Sequence, residues 1–397
     1  MNSRSGLNLL FLVSLGILFS VYVSYLSYLD EAITLIAIVL GCMAIGSTLV
    51  ASFSQMMIFV LGLYSIVTLL ISAYQINMLE VFLSALIMFK FFAVLFTIEH
   101  VIKNKTRVLA FAFVALILSI LGLAVNIAIP TVYNNFFDIR EFDRGGMTRY
   151  AGAFLNPNLS GIVLVGSTMI CTELIRCLHK YRIFILVLLI LIASFIFASR
   201  TTQIFIIFLM ILPYLTRRDK YMRVIPVIFI LFCFSIFTFY FSPTSQTTIA
   251  NINMLNQSHD ANVRVLIILS GINLAIENFP FGAGFGTFAS KADVGMKLFR
   301  DLGIDQHYAI KSQRGLHDSS VAVILGQIGA IGLLMYLYVI KLTLLKQPEF
   351  KHCANTVVIF VFLLGLITPF FFSAIMALVV MLSIKITLQK RDYEKGN

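Results

Sequence analysis

A histidine at the start of an apolar segment is the residue in this chain best placed to move a proton. His317 follows a long polar stretch and directly precedes the apolar run 318–340. The N-terminus of a helix is electropositive and Arg314 is close in sequence, so both features disfavour the imidazolium form. We expect a neutral imidazole that can act as a general base. From position alone, an interfacial residue with a polar tip is an equally good interpretation.

Four arginines are candidates for binding an anion. Arg149, Arg200 and Arg264 lie at predicted boundaries on the same side of the membrane, and Arg314 belongs to the polar stretch before His317. A guanidinium group keeps its charge at any working pH and binds phosphate through two parallel hydrogen bonds. A single arginine of this kind is commonly a residue that reaches lipid headgroups. Several of them on one face favour a diphosphate site.

Lys90 is a separate candidate, because it lies in the middle of the apolar run 81–98. An ionisable residue at membrane depth is costly and is a functional candidate by default. Its ammonium group would contact a lipid phosphate or a buried acid, and the sequence favours neither. Metal catalysis has little support, because the histidines lack ligand spacing and no HExxH, Walker or Ser-His-Asp pattern occurs. We therefore expect no metal and no cofactor.

The composition indicates that membrane helices position these residues. The 397-residue chain is 60% hydrophobic and 12% charged, and its mean hydropathy is +0.97, which is typical of a polytopic membrane protein. Strand-like alternation is absent, and a helix needs about 20 apolar residues to cross the hydrocarbon. We predict an all-α polytopic membrane protein with about twelve transmembrane helices. The candidate spans cover residues 7–29, 32–50, 53–73, 81–98, 108–129, 158–175, 183–198, 201–215, 224–241, 318–340, 354–368 and 373–388.

Basic residues predict the orientation of these spans. Most of the 29 Lys and Arg residues lie in four short connections and in the two tails. The positive-inside rule therefore places these connections and both termini in the cytoplasm. The net charge of +11 reflects this topology, and nucleic-acid binding is a poor explanation for it.

Two polar loops on the outer side divide the chain into regions. The predicted regions are N-terminal transmembrane helices over 1–129, a first outer loop over 130–157, central transmembrane helices over 158–241, a large outer loop over 242–316, C-terminal transmembrane helices over 317–388 and a cytoplasmic tail over 389–397. The large loop lies between spans nine and ten, and an amphipathic helix over 264–278 is predicted to lie in the interface or to pack on the bundle. The glycines of Phe281–Phe288 then form a phosphate-binding nest or, as we favour, a packing turn.

Four segments of the chain resemble the superfamily of bacterial O-antigen ligases and O-antigen (capsule) polymerases. The segments are Arg149–Asn158, similar to the family's R..G.F.NPN; Ser199–Thr201, similar to SR[TG]; Arg264–Gly286, similar to an R-x3-L helix with a glycine-rich turn; and His317–Gly332, similar to the motif that opens the span after the large loop. Their order around one large outer loop carries the resemblance, which covers roughly residues 145–340.

The resemblance implies metal-independent, inverting glycosyl transfer from an undecaprenyl-diphosphate-linked glycan on the outer face of the bacterial inner membrane. It implies that Arg200 and Arg264 hold the donor diphosphate, that Arg149 lines the same pocket and that His317 is the general base on the acceptor hydroxyl. The further candidates are Arg314 for the diphosphate and, as supporting residues, Lys90, Asp318, Asn156 and Asn158. The implied partners are the lipid-linked glycan, membrane lipid, a chain-length regulator and a flippase, and no nucleic acid.

Three functions remain open at this point. Ligases commonly carry an acid nine positions after the histidine, where this chain has Gly326. The segment Asp318–Gly332 is more similar to repeat-unit polymerases, so we favour a polymerase of a surface polysaccharide. A ligase acting on lipid A-core or a protein is the alternative. A transporter or flippase is third, because transporters usually consist of two similar halves and this chain shows no internal repeat.

Overall fold

The computed structural model describes residues 53–74, 76–101, 105–137, 142–144, 147–215, 263–290, 293–311 and 316–394. These residues are mostly helical. The helices are α1 (Phe53–Ile71), α2 (Met78–Val101), α3 (Lys105–Ala128), α4 (Pro130–Phe136), α5 (Pro157–Leu174), α6 (Arg176–His179), α7 (Arg182–Leu191), α8 (Arg200–Leu215), α9 (Val263–Glu277), α10 (Asp293–Asp301), α11 (Tyr308–Lys311), α12 (Ser320–Leu345), α13 (Ala354–Ile367) and α14 (Ala374–Glu394). Short 3-10 turns cover Gly152–Phe154, Pro348–Phe350 and Phe370–Phe372.

Every predicted span that falls within the described residues is occupied by a helix. Among those residues, three helices are long and apolar enough to cross a bilayer: α2 through Met78–Leu95, α3 and α12. Five shorter apolar segments of 10–17 residues accompany them. The chain is therefore helical, with helices suited to a membrane. The count of about twelve spans stays a prediction, because 7–29, 32–50 and 224–241 lie outside the described residues.

The described part of the chain departs from the all-α prediction at one place. Strand β1 (Phe142–Arg144) pairs antiparallel with strand β2 (Met147–Arg149), so that Phe142 lies opposite Arg149. The sequence contains a signal for this hairpin in the dipeptide Gly145-Gly146, because Gly-Gly is typical of two-residue hairpin turns. The hairpin positions Arg149 at the end of a strand.

The described residues form two compact units, of which the first runs from Thr97 to Leu215 and resumes at Ile375. Helix α3 packs against α5, which also packs against α8. Close packing is possible because Gly161 of α5 faces the side chain of Thr202 on α8. The apolar run 183–198 is not a regular α-helix throughout, because α7 passes into a π-helical turn at Ile192–Ile196.

The second unit contains the described residues up to Phe96 and those from Val263 to Ala374. Helix α9 packs along α12, which also contacts α1 and α13. The interior is aromatic and consists of Phe91, Phe92, Tyr336, Phe370 and Phe371. The Tyr336 hydroxyl donates to the Met88 carbonyl oxygen at 3.1 Å. This bond satisfies the polar end of a fully buried ring.

Helix α12 is broken in the middle, at Gly329. The backbone there has φ 71° and ψ −175°, a conformation that glycine adopts without a steric penalty. The backbone N–H of Ala283 donates to the Gly326 carbonyl at 2.8 Å, and that of Gly284 donates to the Gln327 carbonyl at 3.0 Å. The glycine-rich turn after α9 therefore satisfies carbonyl groups at the break. These amides are directed at protein carbonyls, as in a packing turn.

The break also determines how Gly326, Gly329 and Gly332 contribute to packing. Small residues three positions apart permit close packing of a neighbouring helix. Instead, Gly326 faces the ring of Phe288 and Gly329 lies against the backbone of Pro280. The glycines accommodate the loop that precedes the helix, and one of them interrupts the helix.

Candidate active site

Apart from Lys90, the predicted site residues within the described part of the chain form two clusters, one in each unit. The first arginine cluster consists of Arg149, Asn156, Asn158, Ser199 and Arg200. In this cluster the Arg149 Nε donates to the Phe197 carbonyl oxygen at 3.0 Å, and Nη2 donates to Asn158 Oδ1 at 3.1 Å. Two nitrogens of the guanidinium are therefore held by two different acceptors, which fixes the orientation of the group.

The Asn158 side chain joins three elements at one oxygen atom. Its Oδ1 accepts from Arg149 at the end of β2 and from the Ser199 hydroxyl, at 2.9 Å, just before α8. Ser199 Oγ also accepts from the backbone N–H of Thr202 at 3.2 Å, which is the arrangement of a helix N-cap. The hairpin, the start of α5 and the start of α8 thus meet at a single amide group.

Buried polar groups fix the loop that follows Arg149. The backbone N–H of Gly152 donates to Asn126 Oδ1 at 3.1 Å, and the Tyr133 hydroxyl donates to the Gly152 carbonyl at 2.9 Å. Gly152 has φ 59°, in the left-handed region that favours glycine. This network explains why a glycine stands three residues after the arginine in the predicted motif.

Arg200 and Asn156 have different positions in the first cluster. Arg200 is the first residue of α8 and is half-buried. Asn156 is exposed and caps α5, because its Oδ1 accepts from the backbone N–H groups of Asn158 and Leu159 at 2.9 and 3.3 Å. The cap occupies the Asn156 oxygen, so this residue supports the helix that carries Asn158.

The second arginine cluster consists of Arg264, His317, Asp318 and Ser319. Arg264 is the second residue of α9, and its Nε lies 3.3 Å from Asp318 Oδ2. The two residues are 54 positions apart in the sequence. Their side chains are 29% and 32% exposed, so water reaches this ion pair. The packing of α9 on α12 is what brings these two residues together.

His317 lies beside this ion pair in the sequence and is half-buried. Its ring meets Phe372 edge-on, with 5.4 Å between centroids and 77° between planes. Ser319 is the N-cap of α12, because its Oγ accepts from the Ala322 N–H at 3.4 Å. The aromatic contact and the cap restrict the position of the imidazole.

Ser320 attaches the start of α12 to the end of α13. Its hydroxyl contacts the carbonyl oxygens of Gly365 and Thr368 at 3.2 Å each, and it accepts from the Phe371 N–H at 3.3 Å. The segment that carries His317 is therefore anchored on the side of α13 as well as on the side of α9.

Lys90 lies in the second unit and is only 2% exposed. It precedes Phe91 and Phe92, which belong to the aromatic interior. Burial of an ammonium group is costly without a compensating contact. The structure thus places Lys90 inside the protein on α2.

The structure brings Arg149 together with Asn158, and Arg264 with Asp318. Arg314 lies outside the described residues. Sequence reasoning did not identify Ser199 or Phe372 as site residues, although Ser199 directly precedes Arg200 in one of the motifs. No group of three or more His, Cys, Asp or Glu side chains suited to a metal ion occurs in the part of the chain that the structure describes.

No protein-family model, no curated protein and no solved structure matches this chain.

Proposed function

We propose that this protein is a membrane glycosyltransferase that polymerises oligosaccharide repeat units carried on undecaprenyl diphosphate. One observation supports the proposal above all others. The ion pair between Arg264 and Asp318 holds an arginine beside the histidine-bearing start of α12, across 54 positions of sequence. A cation can stabilise the charge that develops on a diphosphate leaving group, and an imidazole can take the proton of an attacking hydroxyl.

In the proposed reaction, the acceptor hydroxyl attacks the anomeric carbon of the donor sugar. His317 takes the hydroxyl proton, the new glycosidic bond forms and the bond from the anomeric carbon to the diphosphate oxygen breaks. The electron pair of that bond leaves with the diphosphate, and Arg264 stabilises the charge that develops there. Attack opposite to the leaving group inverts the anomeric centre.

In this scheme the Asp318 carboxylate pairs with Arg264 until the donor diphosphate binds. The Arg264–Asp318 contact is about one-third exposed and uses one guanidinium nitrogen at 3.3 Å. Exposed ion pairs of this kind contribute little to stability, about 0–1 kcal/mol. A diphosphate carries more negative charge than a carboxylate and can bind a guanidinium through two oxygens. The donor therefore replaces Asp318 on Arg264.

The family resemblance implies donor binding by Arg149 and Arg200 as well. The acceptors that orient Arg149, the Phe197 carbonyl and the Asn158 amide, are uncharged. These two bonds set the orientation of the guanidinium and do not neutralise it. The same resemblance gives the membrane setting: a multi-pass protein of the bacterial inner membrane, with cytoplasmic termini and an outer active face.

The test is to delete the gene and separate the surface glycans by size. A polymerase predicts that the lipid core is capped with single repeat units only. Loss of all capping with long lipid-linked chains retained indicates a ligase. Normal polymerisation with glycan trapped inside the cell indicates a flippase, and either result overturns the proposal.

Complementation of the deletion then tests the site. The His317→Ala variant should restore no long chains, whereas the His352→Ala variant, which changes an exposed histidine far from the proposed site in sequence, should restore them fully. Normal chain lengths from an expressed His317→Ala variant would remove His317 from the mechanism.

A further inference from the structure

Helix α9 has one face packed against protein and one face that is apolar and exposed. The packed residues are Leu266, Ile267, Ser270, Gly271, Leu274 and Ala275. The exposed residues, which we call the α9 stripe, are Leu269, Ile272, Ile276 and, just past the helix, Phe279, whose exposed fraction reaches 70%. Their spacing of three and four residues places them on one side of the helix.

Helix α9 lies alongside the first half of α12. Arg264 at the start of α9 contacts Asp318, Gly271 faces the backbone of Ala322, and the Ala283 amide binds the Gly326 carbonyl. Along these three contacts the residue numbers of both segments increase in the same direction. The two segments are therefore parallel neighbours, and α12 is one of the helices long and apolar enough to cross a bilayer.

The end of α9 also reaches α1. The Tyr64 hydroxyl of α1 donates to the Ile328 carbonyl of α12 at 3.3 Å, and its ring lies 6.0 Å from that of Phe281. Both neighbouring helices expose large apolar side chains of their own. These are Phe59, Leu63, Ile66 and Leu70 on α1, and Ile331, Leu334 and Tyr338 on α12. The α9 stripe adds to apolar surface that its two neighbours already present.

The apolar exposed residues of three helices that pack together indicate what covers the α9 stripe. Apolar side chains exposed to water cost about 25 cal/mol for each Å², and contiguous patches are rare on surfaces that face water. The surface of a helix that crosses a bilayer is covered by acyl chains. Asn273 and Glu277 are exposed on one flank of α9, which gives the helix a polar edge as well as an apolar one.

We propose that the α9 stripe is inserted among the acyl chains of the outer leaflet. The large loop is then partly a membrane element, and it does not stand in water as a lid. Insertion also holds Arg264, at the head of α9, at the level of the phosphate groups. This inference concerns lipid contact alone and is independent of the proposed reaction.

The absence of tryptophan from the sequence gives a direct test. Ile272→Trp and Ile276→Trp variants of the full chain are purified and reconstituted into phosphatidylcholine vesicles whose acyl chains are brominated or not. Both tryptophans should lose most of their emission in brominated vesicles and respond weakly to aqueous acrylamide. Leu269→Trp provides a third position, should either variant fail to fold.

Two matched variants calibrate the measurement. Leu334→Trp, on the exposed side of α12 at 67% exposure, should be quenched by the brominated lipid. Lys297→Trp, on the exposed side of α10, should be quenched by acrylamide. If the α9 tryptophans behave like Lys297→Trp, the stripe faces water or an absent protein partner, and the proposal is overturned. If Leu334→Trp also escapes the brominated lipid, α12 is not in the bilayer and the proposal falls with it.

Discussion

The two arginine clusters hold the same side chain in opposite ways. Arg149 in the first cluster is bound through two nitrogens to neutral acceptors, one of which is also bound by Ser199. Arg264 in the second cluster is paired with a carboxylate that is about one-third exposed. The first arrangement fixes the orientation of a guanidinium, and the second provides it with a replaceable counter-charge.

Because of this difference, an anionic ligand must displace a different group from each arginine. A neutral amide that also joins three elements cannot leave its arginine without disturbing the fold. A water-accessible carboxylate can leave at little cost, because exposed ion pairs contribute about 0–1 kcal/mol. Substitutions in the first cluster should therefore lower the stability of the protein, whereas substitutions in the second cluster should lower its activity.

The largest expected effect is the difference between Arg264→Ala and Arg149→Ala in transfer rate and melting temperature. Loss of Arg264 should lower the rate of transfer by about 10²–10³-fold, the range observed when one preorganised charge-stabilising donor is removed. Its melting temperature in detergent should stay close to that of the unchanged protein. Arg149→Ala should lower both the rate and the melting temperature. If both variants lose stability equally, the distinction between the clusters is wrong.

Removal of the shared amide tests the first cluster. Asn158→Ala leaves the donors of Arg149 and Ser199 without their acceptor, so we expect a loss of about 1–3 kcal/mol in the free energy of unfolding. Asn273→Ala, at an exposed position on α9, is the control and should change it little. A fully stable Asn158→Ala protein would show that the three elements do not depend on this amide.

Removal of the counter-charge tests the second cluster. Asp318→Asn keeps the shape of the side chain and removes its charge, so the donor no longer competes with a carboxylate for Arg264. We expect the KM for the lipid-linked donor to fall by up to about 5-fold, because the exposed ion pair that is lost contributes about 0–1 kcal/mol and about 1.4 kcal/mol corresponds to a factor of ten, with little change in kcat. Asp305→Asn is the matched control. A higher KM would mean that Asp318 positions the arginine for the donor.

The smallest expected effect concerns another contact of the second unit. The Tyr74 hydroxyl donates to Asp301 Oδ2 at 3.3 Å. Burial, followed by the charge of Asp301 and its hydrogen bond and by the charge of Glu277, raises the pKa of Tyr74 above its usual value of 10.0. The folded protein thus holds this proton more tightly than the unfolded chain does. Its contribution to stability is complete below about pH 10 and is lost as the pH rises above that value.

The Tyr74→Phe variant should therefore lose less stability than the unchanged protein when the pH is raised above about 10. Unfolding in detergent, followed across this range, measures the difference. Asp301→Asn should reduce the difference without abolishing it, because burial is the larger cause. The same pH dependence in the presence and absence of the tyrosine hydroxyl would contradict this account.

Hydropathy was sufficient to locate the helices of the described apolar runs, because such runs leave the backbone few alternatives in a membrane. The short helices α4, α6, α10 and α11, which lie outside those runs, were not predicted. The helix predicted over 264–278 is present as α9, Val263–Glu277. The π-helical turn at Ile192–Ile196 and the break at Gly329 were not predicted. Both are local backbone arrangements inside apolar runs, and the break depends on a loop that contacts α12 from elsewhere in the sequence.

The sequence indicated the residue types of the site, but it did not indicate most of the contacts between them. The motifs pointed to Arg149, Asn158 and Arg264, and the spacing within Arg149–Asn158 made the first contact foreseeable, since both ends belong to one short segment. The ion pair between Arg264 and Asp318 depends on α9 packing against α12, and nothing local to either residue indicates it.

The broken helix α12 has a consequence for how the protein is assembled. Its carbonyl groups at Gly326 and Gln327 receive their partners from Ala283 and Gly284, which are synthesised before α12 emerges. A copy of α12 inserted without that turn would expose these carbonyls to hydrocarbon, where each unsatisfied group costs several kcal/mol. The glycine-rich turn should therefore be needed for stable insertion of the helix that follows it, and its replacement by a flexible linker should weaken the span.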